Sequence, residues 1–85
     1  MTRHIAISEE LLRQLIRNRE INWAGNRVLK IYGTLRCGSG KRMKKENRVF
    51  FKSTTEAVGA GFRPCGHCLP AEYRKWKKED GNHIL

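Results

Sequence analysis

Apolar residues at Ile7, Leu11, Leu12, Leu15 and Ile16 recur three and four positions apart, which predicts an amphipathic helix from Ser8 to about Asn18. Ser8 can cap it, and Glu9 and Arg13, one turn apart on the opposite side, can pair. Residues 21–26 read as a loop with Trp23 turned inward. Val28 to Tyr32 alternates well enough for a strand ending at Gly33. From Cys37 to Asn47 the chain is Gly-rich and then basic, and it reads as a loop. Arg48 to Lys52 is aromatic and β-branched, which suits a second strand.

Ser53 and Glu56 have the spacing of a capping box, so a short helix through Ala57, Val58 and Ala60 should follow, with Gly61 ending it. Pro70 suits the first turn of a last helix. On it Leu69, Tyr73 and Trp76 share a stripe, read as core, while Arg74, Lys75, Lys77 and Lys78 face away. Residues 81–85 read as a loose tail. At 85 residues the chain has room for one core and not two. The reading is therefore one α+β domain over residues 1–85, a short β-sheet flanked by helices, with residues 1–26 as a helical N-terminal extension that packs.

Charge changes the picture. Eighteen Lys and Arg against eight Asp and Glu give a net charge of +10, which attracts polyanions, nucleic acid first among them. No stretch has the apolar run of a signal peptide or a membrane span, so the expectation is a cytoplasmic protein, a monomer with no membrane partner. Lys41, Arg42, Lys44, Lys45 and Arg48 cluster, and Arg63 lies further on; such cations can grip phosphates without reading sequence. Gly38 to Lys41 has the look of a phosphate-binding loop but fails the template: Leu35 stands where the first Gly belongs, and Arg42 replaces the Ser or Thr.

Three cysteines are an odd number, and Cys65 and Cys68 form a Cys-x2-Cys pair with Gly66 in the turn. In a reducing compartment such thiols bind metal more often than they form disulfides. A redox dithiol would follow a strand in a βαβ pattern, whereas here a short helix and Gly61 come first. Zinc is the expected cofactor, with Cys37, Cys65 and Cys68 as ligands. His67, His4, His83 or a water are the options for a fourth donor.

Residues 46–51, Glu56-Ala57 and above all Gly61-Phe-Arg-Pro-Cys-Gly-His-Cys-Leu-Pro70 resemble the Ada-type metal-binding domain, found in a bacterial DNA repair protein that removes methyl groups from backbone phosphotriesters. The resemblance spans about half the chain, within a metal-binding region taken as residues 27–80. It implies a small mixed α/β domain with a four-thiolate zinc site, in which one thiolate accepts the methyl group and DNA is then held more tightly. Cys65 and Cys68 carry over as ligands. Upstream the family has two cysteines four apart and this chain has only Cys37; if Cys37 is the first of them, the second falls on Lys41.

Two functions follow as expectations. One is a non-enzymatic zinc module that docks on nucleic-acid backbone, DNA ahead of RNA. The alternative is a suicidal methyltransferase in which the zinc-bound Cys37 thiolate attacks a methyl phosphotriester. The first is preferred, because a chain with three cysteines cannot build the fully anionic shell.

Overall fold

The computed structural model describes residues 1–38 and 43–83, with side chains as far as Glu79. Its elements run β1 (Thr2–Arg3), α1 (Glu9–Arg17), β2 (Trp23–Asn26), β3 (Ile31–Thr34), β4 (Arg48–Phe51), α2 (Thr54–Gly59), β5 (Arg63–Pro64) and α3 (Pro70–His83). Single 3-10 turns at His4–Ala6 and Lys45–Asn47 precede α1 and β4. The five strands form one sheet in the order β1-β4-β2-β3-β5. All neighbours are antiparallel except β3 and β5. This is the α+β class read from the sequence.

The sheet carries a core on each face, and the period-2 alternation of β4 divides them. Val49 and Phe51 join Tyr32, Ala57 and Phe62 on one face, with Trp23 and Leu69 packed against them. Phe50 joins Leu12, Ile21 and Ala24 on the other, where Ile7, Leu15 and Leu35 close in. Helix α1 thus covers one face and α2 the other. Val49, Phe50 and Phe51 are at most 1% exposed, so β4 is the strand around which both cores are built.

The region expected to be a loop, residues 21–26, contains β2, a central strand laddered to both β3 and β4. Gly25 and Asn26 hid it, since both are poor strand formers in isolation. Gly25 is present because a Cβ there would lie 3.0 Å from the Phe51 ring and 3.1 Å from Phe62. Those two rings meet edge to face, centroids 4.9 Å apart.

The strand expected at 28–32 begins at Ile31 and continues through Gly33 to Thr34. Val28 and Leu29 occupy the turn of the β2–β3 hairpin and are 62% and 63% exposed. Asn26 sets that turn: its side-chain oxygen accepts from the Val28 and Leu29 amides at 2.9 and 3.1 Å, an Asx turn. Lys30 then takes a left-handed conformation at φ 58°.

Helix α1 starts as expected, with Ser8 Oγ accepting from the Leu11 amide at 3.1 Å. Leu12 is buried, but Leu11 and Ile16, expected on the packed face, are exposed. Glu9 pairs not with Arg13 but with His4 at 2.9 Å and Lys45 at 3.3 Å, so the carboxylate ties the helix to the segment before β4. The capping box of α2 forms: Ser53 Oγ accepts from the Glu56 amide at 3.1 Å, and Glu56 reaches back to the Lys52 amide at 2.8 Å. Gly61 follows at φ 88° and turns the chain out of the helix. Helix α3 runs through Gly81 to His83 instead of fraying at residue 81. Tyr73 and Trp76, read as core, are only half-buried and stack on each other at 5.9 Å beside the core.

Candidate metal centre

Strand β5 brings the cysteine turn into place. Pro64, with no N–H to offer, sits on the sheet's edge. The amides on either side complete the parallel ladder, Arg63 donating to the Lys30 carbonyl at 2.8 Å and Cys65 to the Tyr32 carbonyl at 2.7 Å. Cys65 is thereby held beside Gly33. Leu69 donates back to the Cys65 carbonyl at 3.0 Å, closing the turn through Cys68 into α3. From the other side the Cys37 amide donates to the Thr34 carbonyl at 3.2 Å, folding the chain after β3 back over its end.

The three sulfurs of Cys37, Cys65 and Cys68 all lie within 4.8 Å of one another. Thiolates around tetrahedral zinc at about 2.3 Å would stand roughly 3.8 Å apart, so only a small contraction is required. Three soft sulfur donors suit zinc and exclude the oxygen-loving magnesium and calcium. Cys37 is buried, while Cys65 and Cys68 are half-buried. Burial pushes the Cys68 thiol up, and the Thr34 amide, 3.4 Å from its sulfur, pulls the other way. A bound cation would displace those protons, and the Thr34 N–H would then donate to an anionic sulfur.

Gly33 is a site residue that sequence reasoning took only for a strand end. A Cβ there would lie 2.6 Å from Cys68 Sγ and 3.2 Å from Cys65 Cβ, so the missing side chain is what lets the thiols sit against the sheet. A cavity of about 280 Å³ borders the cluster, lined by Cys37, Cys65, Leu29, Ile31, Met43 and Arg63 among others.

Among the described residues the converging group is the three cysteines alone. His67, within the turn, is exposed. His4 bonds Glu9 and meets the Phe50 ring edge on at 5.2 Å. The side chain of His83 lies outside the described residues.

Of the six cations assigned to phosphates, Lys41 and Arg42 lie outside the described residues. Lys44 and Lys45 are exposed, and Lys45 is paired with Glu9. Arg48 is half-buried, laid over the Phe50 ring at 5.2 Å with an Nη donating to the Leu35 carbonyl at 3.5 Å. Arg63 lies over both the Tyr73 and Trp76 rings, at 5.1 and 5.6 Å. Two arginines absent from that set, Arg3 and Arg27, converge on the Glu46 carbonyl at 3.2 and 2.9 Å and fix the segment before β4. Their separation in sequence gives no local signal of this.

The comparisons agree with this geometry. The family model of the metal-binding domain of Ada matches residues 15–71, more than half of the chain. The refined structure of the DNA methyl phosphotriester repair domain of E. coli Ada is similar at 27% identity with a TM-score of 0.55, covering 78% of this chain and 76% of that one. No curated protein matches. Fold, cysteine cluster and family model converge: the chain belongs to the Ada metal-binding domain family, and its cofactor is zinc.

Proposed function

We propose that Cys37, Cys65 and Cys68 hold one zinc ion, and that the module so braced docks on nucleic-acid backbone without reading sequence, DNA ahead of RNA. The observation that carries the reading is the convergence of three sulfurs within 4.8 Å at the junction of β3, β5 and α3. Two of them lie in the turn between the sheet's edge and the last helix, so metal binding ties that helix to the sheet. A zinc with three thiolates is singly negative, and a chain of net charge +10 offsets that and still attracts a polyanion. Exposed Lys44 and Lys45 follow directly on Met43, which lines the cavity beside the cysteines. Phosphates drawn to Lys44 would lie toward the metal centre, while Lys45 is turned to Glu9 at the start of α1.

The test is binding of a labelled duplex across a salt series. With about four phosphates contacted, log affinity against log salt should slope near −3 to −4. Replacing Lys41, Arg42, Lys44 and Lys45 by Gln should flatten the slope while the circular dichroism spectrum holds. Affinity that ignores salt would contradict the reading.

Family membership favours a second reading, methyl acceptance at Cys37. Incubation with DNA carrying methyl phosphotriesters should leave the protein's mass unchanged under the first reading. One added methyl on the Cys37 peptide would establish the second.

A further inference from the structure

We propose that the fourth zinc position of this chain is filled from outside, by a small thiol lodged in the cavity beside Cys37 and Cys65. The inference rests on the zinc reading above and adds a ligand class to that same centre. Tetrahedral zinc takes four donors, and three cysteines converge with no fourth His, Cys, Asp or Glu among the described residues. Of the described histidine side chains, His67 is exposed and stands outside the cluster, and His4 is bonded to Glu9.

What borders the cluster is space. The cavity holds about 280 Å³, several times the roughly 30 Å³ share of one water. Two of the three cysteines form part of its wall, so a molecule inside it is next to the donor set. Leu29, Ile31 and Met43 supply apolar wall for a carbon body, and Arg63 supplies positive charge beside an anionic centre. A soft donor on a short apolar body matches both, and a thiol is the plainest such molecule. On binding, the thiol's S–H bond breaks as the metal–sulfur bond forms, its proton passes to solvent, and no electrons are transferred.

Cobalt-loaded protein, held reduced with a phosphine in place of thiols, is titrated with benzenethiol while native mass spectrometry counts metal. The expected result is one cobalt per chain and growth of the sulfur-to-cobalt charge-transfer absorption that saturates at one thiol. Leu29 is 63% exposed in the hairpin turn, so Leu29→Asp should leave the fold intact. It should weaken the thiol about tenfold, by removing apolar wall and adding a like charge. One cobalt with an unchanged spectrum overturns the inference and leaves the metal reading standing, as does loss of cobalt to the thiol. Equal affinity in Leu29→Asp also overturns it, since the cavity then plays no part. Protein that takes up no metal overturns both.

Discussion

At Gly33 the lack of a side chain lets two thiols sit against the sheet. A methyl group there would stand 2.6 Å from Cys68 Sγ and 3.2 Å from Cys65 Cβ, so the thiols or the strand must shift. Gly33→Ala should therefore cost about 1–3 kcal/mol of stability by overpacking and lower zinc affinity about tenfold or more. Thermal melts and competition against a chelator measure the two. Gly38→Ala, where nothing among the described residues lies within 4 Å of the added carbon, is the control and should change neither; equal behaviour of the two variants would contradict the role given to Gly33. The cysteines themselves were legible, because a Cys-x2-Cys pair with one upstream cysteine is a donor set by its chemistry. Gly33 was not, because nothing in its neighbours announces that two thiols from thirty residues on will lie against it.

Among the elements, α2 was read correctly because its signal is local, Ser53 and Glu56 bonding within one turn. Ser53→Ala should cost about 1 kcal/mol, seen as a fall in Tm of roughly 4–8 °C for a domain of this size. Glu56 adds a pH signature: the Met1 ammonium at 2.7 Å and then the Lys52 amide hold its carboxyl below the usual carboxylate range. A lowered folded pKa contributes stability above the unfolded value near 4.5 and loses it as pH falls through the folded value. Glu56→Gln should therefore flatten the acid limb of the Tm-against-pH curve and leave the drop below about pH 4.5 smaller than in the wild type. An unchanged limb would show that the contact contributes nothing. Strand β2 was illegible for the opposite reason: its Gly25 and Asn26 oppose strand formation locally and are overruled by two neighbouring strands and two phenyl rings. The β3 boundary slipped likewise, since Val28 and Leu29 look like strand residues and the Asn26 side chain makes them a turn.

Both cores already close around β4, so the chain should keep part of its fold without zinc while the β5–α3 corner loosens. Chelation should lower Tm and speed amide exchange around Cys65 to Tyr73 more than in Val49 to Phe51; uniform loss of protection would mean the metal is required for the entire fold. The central claim is that three cysteines hold one zinc, and metal-edge X-ray absorption on zinc-loaded protein in thiol-free buffer tests it most directly. The account predicts one zinc per chain with about three sulfurs near 2.3 Å, and a lower sulfur count in Cys37→Ser. Protein that recovers no zinc, or a zinc bound without sulfur from Cys37, would contradict it.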